Sequence, residues 1–207
     1  IDYFLNWSLR WNNNGYSVAG GEYLLWIKWK LRKGLLLKKG KLIAVTFRNM
    51  IAASQSQNDA EEVKNVITDF SSFLSADDYE TNISFANGIY HYERGDYKLA
   101  SRFFLMAQPK EDPVFNCLVR YWHWKALYED DSDDIDSLIN QLLTFERYIQ
   151  RTKAPINSKL KTFEKFIYYA GFLINGADKH SKTIIKSRIK AEGQFAGKSW
   201  LFKQFGM

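Results

Sequence analysis

Apolar residues recur at intervals of three and four along almost the whole chain, and strict alternation of apolar with polar residues never persists beyond a few positions. A period near 3.6 lays a stripe along one helix face, whereas a half-buried strand needs a period of two. The chain is therefore expected to be all-α, without a strand. Its punctuation agrees. All three prolines fall at segment boundaries, and loops are expected at 12–15, 34–40, 55–58, 75–78, Gly95, 108–113, 129–134 and 152–155. These divide the chain into about eleven helices. Pro113 and Pro155 sit where a first helical turn tolerates a missing N–H, and Asp59, Asp77, Asp112 and Asp134 offer caps or negative charge at helix starts.

One segment repeats a known packing pattern. From Gly88 the sequence reads GIYHYERGDYKLASRFFLMAQ, in which Gly88 and Ala100 are small enough for two antiparallel helices to approach and Gly95 suits a tight turn. Tyr97, Phe104 and Ala107 then face a neighbouring unit. With these spacings the stretch from Thr81 to Val114 resembles one tetratricopeptide repeat. Degenerate copies of its second-helix spacing occur at Tyr16, Ala19, Tyr23 and Trp26, at Ala60, Val63, Ile67 and Phe70, and at Ile135, Leu138, Leu142 and Phe145. Helix pairs starting near Lys41, Asp77, Asp112 and Pro155 support a right-handed stack of antiparallel helical hairpins, a TPR-like α-solenoid. No Pro/Gly/Ser-rich linker interrupts residues 1–207, so a single domain is expected. The last helix, Phe195 to Phe205, is expected to close the exposed apolar end of the stack.

The order of LLLKKGKL, TFRNMI, FANGIYHYERGDYKLA, LLTFERYIQR, TFEKFIYYAGFL and SWLFK also resembles the C-terminal region of a family of tetratricopeptide-like Bacteroidetes proteins. That likeness implies a helical fold, a cytoplasmic bacterial setting and an origin as the C-terminal part of a longer protein. The last point fits a chain that starts at Ile1 without an initiator Met. It brings no activity and assigns no residue a role.

Charge is segregated. Residues 1–57 hold nine bases and two acids, residues 58–136 seven bases and seventeen acids, and residues 137–207 thirteen bases and four acids. An open array would hold such blocks apart by more than a Debye length of ~8 Å, leaving them to act separately. The first block, with Lys28, Lys30, Arg32, Lys33, Lys38, Lys39 and Lys41 around Trp26 and Trp29, is of the kind that meets nucleic acid or an acidic surface. No apolar run approaches the ~20 residues of a membrane span, Phe166 to Ile174 being the longest at nine.

Catalytic and cofactor signatures are missing from the sequence. Gly193-Gln-Phe-Ala-Gly197-Lys198-Ser199 has three residues between its glycines where a phosphate loop needs four. His91, His123 and His180 fall in different hairpins, so no metal and no cofactor is expected. Cys117, between Phe115 and Leu118–Val119, reads as a buried apolar residue, and the acidic run from Glu129 to Asp136 as a solvated turn. The expected function is that of a non-catalytic scaffold binding a protein or peptide, or another segment of its own protein, along a concave groove. Nucleic-acid association through the basic blocks and a helical enzyme without a recognisable motif are the alternatives. First-helix positions Asn87, Tyr90, His91 and Arg94, and Arg120, Tyr121, Trp124 and Lys125 one unit on, are expected to line the groove.

Overall fold

A computed structural model describes residues 17–109, 111–130, 134–152, 158–176 and 178–206. The described residues form ten α-helices and one two-stranded ribbon. The eleventh expected helix corresponds to the segment before Asn12, which lies outside the described residues, as do Tyr16 and the loop at 12–15. The chain separates into two compact units, residues 1–108 and 109–207.

In the first unit, α1 (Ser17–Arg32) leads through β1 (Leu37–Lys38) and β2 (Lys41–Leu42) to α2 (Ala44–Gln55), α3 (Ala60–Phe70), α4 (Ala76–Glu93) and α5 (Tyr97–Met106). The ribbon corrects the expectation of no strand. Leu37 pairs with Leu42 and Lys38 with Lys41, leaving Lys39 and Gly40 as the turn, both at positive φ (53° and 75°). Two positive φ values in a two-residue loop match the right-handed twist of the flanking strands. At two residues each, the strands are too short to show a period.

Local chemistry sets the helix starts. Asp59 accepts from the backbone N–H of Glu62 at 3.1 Å, and Glu61 and Glu62 bring negative charge to the positive end of α3. At α4 the cap is Ser75, whose hydroxyl accepts from the Asp78 N–H at 3.2 Å, while Asp77 lies in the first turn. The stripes then pack inward. Phe47, Met50, Ile51 and Ala53 of α2 and Val63 and Val66 of α3 are fully buried, and Phe70 nearly so. Helix α2 touches α1, α3 and α4, and α4 packs most extensively on α5. At that last contact Gly88 faces the Phe104 ring, and Ala100, Phe104 and Ala107 are buried as the repeat pattern requires.

Gly95 joins α4 to α5 at φ +78°, with open space where a Cβ would stand. Strain without a clash should make Gly95→Ala cost about 1 kcal/mol, read as a lower urea midpoint with unchanged slope. A midpoint equal to wild type would show that the turn does not need a left-handed residue.

The second unit contains α6 (Pro113–Glu129), α7 (Ile135–Arg151), α8 (Ser158–Ile174), α9 (Lys179–Ala191) and α10 (Lys198–Gln204). Asp112, Asp134 and Asp178 cap α6, α7 and α9 by accepting from the N–H groups of Phe115, Ser137 and Ser181 at 2.8–3.0 Å, and Pro113 occupies the first turn of α6. Helix α6 touches α7 and α8, α7 touches α8, and α10 touches α8 and α9. On α7 the buried stripe is Leu138, Leu142, Phe145 and Ile149, whereas Ile135 is 53% exposed.

An aromatic cluster forms the heart of this unit. Trp124, 1% exposed, lies between Tyr128 (5.4 Å), Phe166 (5.5 Å) and Trp200 (6.1 Å) and donates its indole N–H to the Leu138 carbonyl at 3.0 Å. Rings at these separations and tilts add to the burial they already provide. Trp200 and Gln204 of α10 both donate to the Glu129 carboxylate, so that part of the acidic run serves as a tether for α10. Gly197, at φ +72°, starts α10 where a Cβ would come within 2.9 Å of the Tyr121 ring and 3.0 Å of Phe166.

The charge blocks do not stay apart. Lys28 of α1 pairs with Glu62 of α3 at 2.5 Å, Lys30 is buried, and Trp200, in the C-terminal basic block, bonds Glu129. In the first unit, helices far apart in the chain thus bring opposite signs together, and linear segregation is partly cancelled there.

Candidate functional site

The eight residues expected to line a groove divide sharply in the structure. On α4, Asn87, Tyr90 and His91 are half-buried and Arg94 is exposed. Tyr90, His91 and Arg94 fall on adjoining turns because they are three and four residues apart, and the tight turn at Gly95 brings Asp96 back toward them. Arg94 Nη1 donates to the Tyr90 hydroxyl at 2.8 Å, its guanidinium lies 5.5 Å from that ring's centroid, and its Nε is 3.6 Å from Asp96 Oδ2. Its hydrogen bond to the Tyr90 hydroxyl, with the Asp96 carboxylate nearby, raises the Arg94 pKa above its ordinary value. His91 stacks on Phe103 of α5 at 5.2 Å with the rings nearly parallel, and Nδ1 lies 3.4 Å from Asp96 Oδ2. Phe103 and Asp96 are thus part of this constellation. Phe103 comes from the helix opposite the one searched and Asp96 from the turn before it, which is why inward-facing positions on first helices alone did not point to them.

Of the four candidates on α6, only Arg120 remains partly exposed. Tyr121, Trp124 and Lys125 are buried at 7%, 1% and 4% exposure and line no groove. Lys125 lies within cation–π distance of three rings, at 4.0 Å from Trp122 and 5.3 Å from both Tyr121 and Trp200. The reason is visible in the helix itself: all six residues from Tyr121 to Ala126 are buried, so α6 is covered on every side over this stretch and has no polar stripe there from which an inner face can be chosen. Arg120 is held in place. Its Nε donates to Asn116 Oδ1 at 2.7 Å and its guanidinium lies 4.7 Å over the Tyr148 ring of α7.

The remaining reactive side chains are accounted for by packing. Cys117 is fully buried, and burial pushes its thiol up to about 12, far from forming a thiolate at neutral pH. Burial, reinforced by the Arg120 charge, pushes the His123 imidazole down to about 4. Among the described residues no group of His, Cys, Asp and Glu side chains is arranged to hold a metal ion. Lys198, of the Gly197-Lys198-Ser199 string, turns its ammonium to the carbonyls of Lys190 and Glu192 and so neutralises the negative end of α9. No helix among the described residues is long and apolar enough to cross a membrane.

Chemically, the α4 constellation supplies a fixed cation, an aromatic face and an imidazole at the surface, groups that recognise a ligand without needing to transform it. Compared with known proteins, the chain matches no family model, no curated protein and no solved structure.

Proposed function

We propose that this chain is a non-catalytic helical-repeat scaffold of the tetratricopeptide type, which binds a peptide segment of a protein partner, or of its own protein, on the surface carrying Asn87, Tyr90, His91 and Arg94. The single observation that carries this reading is the α4–α5 hairpin, where Gly88 receives the Phe104 ring and Ala100 is fully buried. Two contact patterns support it. Helix α2 meets α3 and α4, and α6 meets α7 and α8, as nearest-neighbour stacking of hairpins requires. In this reading the hairpins stack in a right-handed sense within each unit, with α10 covering apolar surface in the second. A cytoplasmic bacterial setting rests on the family resemblance alone.

Selecting peptides from a random displayed library on the whole chain tests the proposal. Arg94→Ala is expected to weaken the selected peptide at least fivefold, and Tyr90→Ala to weaken it to a similar degree, because a desolvated Arg or Tyr contact contributes about 1 kcal/mol or more. Both are surface or half-buried positions, so folded variants are expected. Unchanged affinity in both removes this surface as the binding site.

A further inference from the structure

A second feature of the α6–α7 pair is independent of that peptide surface. Thr144, Arg147, Tyr148, Arg151 and Thr152 repeat at three and four residues, so they share one face of α7, opposite in purpose to its buried stripe. Together with Arg120 of α6 they line a half-open cavity of about 360 Å³. Three guanidinium groups from two helices therefore surround one opening, and no carboxylate is among its lining residues. Among the described residues none of the three arginines is paired with a carboxylate. Arg151 in the last turn of α7 complements that helix's negative end, but Arg120 arrives from another helix and has no such reason to be there.

From this geometry we infer that the cavity bounded by Arg120, Arg147 and Arg151 is a binding site for a phosphate monoester carried on a small organic body. Three like charges around a confined space repel one another until a counter-charge enters, and a dianion offsets more of that repulsion than a single carboxylate does. Guanidinium forks match phosphate oxygens in pairs. Arg120 is already positioned, its Nε spent on Asn116 and its plane resting over Tyr148, so the Nη edge is what it offers a ligand. The Thr152 hydroxyl donates to the Tyr148 carbonyl at 2.8 Å, fixing the wall of the cavity, while the Thr144 and Tyr148 hydroxyls add donors at its rim. The volume exceeds that of a phosphate group alone, which leaves room for the body that carries it.

Calorimetric titration of the whole chain with inorganic phosphate, O-phospho-L-serine and succinate at equal ionic strength tests the assignment. Both phosphates are expected to bind at least tenfold more tightly than succinate. The same phosphoserine placed within a heptapeptide separates the two sources of such a group: stronger binding of the free amino acid assigns a small metabolite, stronger binding of the peptide a modified protein. Arg147→Gln and Arg151→Gln alter exposed side chains and should each weaken phosphate binding about tenfold without lowering the melting temperature. Arg94→Ala, which tests the peptide surface, should leave phosphate binding unchanged, so either proposal can fail alone. Succinate binding as tightly as phosphate, or unaltered binding in the Arg147→Gln/Arg151→Gln double variant, overturns the inference.

Discussion

Replacing Gly88 by alanine is expected to destabilise the protein by about 2 kcal/mol, although alanine is by ~1 kcal/mol the better helix former. The methyl group would be built onto the Phe104 ring, with Cδ1 at 2.6 Å. Phe104 is itself 1% exposed and has nowhere to retreat. Overpacking in a filled core costs typically 1–3 kcal/mol, and here it must exceed the propensity gain. Chemical denaturation of four proteins decides the matter: wild type, Gly88→Ala, Phe104→Leu and the double variant. If the ring is the obstacle, Gly88→Ala should cost much less once Phe104 is leucine, a coupling expected only between residues in contact. Equal losses in both backgrounds would locate the cost elsewhere in the α4–α5 hairpin. Ala100→Leu at the same hairpin should lose about 1 to 3 kcal/mol for the same reason.

The second large effect is a dependence on pH. His123 is 7% exposed, and burial with the nearby Arg120 charge lowers its pKa from an ordinary 6.5 to about 4. Between those values the unfolded chain takes up a proton that the folded protein does not, so acidification favours unfolding. The stability conferred by keeping this imidazole neutral is present above about pH 6.5 and is lost progressively as the pH falls toward 4. At ~1.4 kcal/mol per pH unit, the fall from pH 6.5 to 4.5 costs roughly 2.5 kcal/mol. Because many carboxylates titrate over the lower part of that range, the useful quantity is the difference between wild type and His123→Gln, each measured from pH 7.5 to 4.5. Wild type should lose ground against the variant by that amount. A difference that does not change with pH would show that His123 titrates alike in the folded and unfolded chains.

Boundaries were readable because they are local events. Asp112 followed by Pro113 defines a helix start through groups within one turn, and Gly95 ends α4 by a backbone preference that needs no neighbour. The Gly88–Phe104–Ala100 packing was readable for a related reason: a repeat carries its tertiary contacts at fixed spacings. Groove residues were not. Tyr121, Trp124 and Lys125 are polar or aromatic at helical spacing, which identifies a face only when the opposite face is apolar, and α6 is buried all round from Tyr121 to Ala126. The Arg147–Arg151 face of α7 carries no signal of its own in the sequence, since nothing in the residue order tells that Arg120 is brought beside it. Charge blocks misled in the same way, because Lys28 and Glu62 belong to different blocks of the chain and to adjoining helices of the fold.

The tether between Glu129 and α10 bears on the order in which the protein can be made. In the first unit the described helices pack on one another within residues up to 108, so a chain growing from its N-terminus can form that core early. The second cannot finish its own. Trp124 and Phe166 remain without the Trp200 ring, and Glu129 without Trp200 and Gln204, until residues around 205 have left the ribosome. At synthesis rates of roughly 5–20 residues per second, some five to twenty seconds separate the first unit's completion from the second's. Over that interval the aromatic surface of α6 and α8 is the part of the nascent chain for a chaperone to shield.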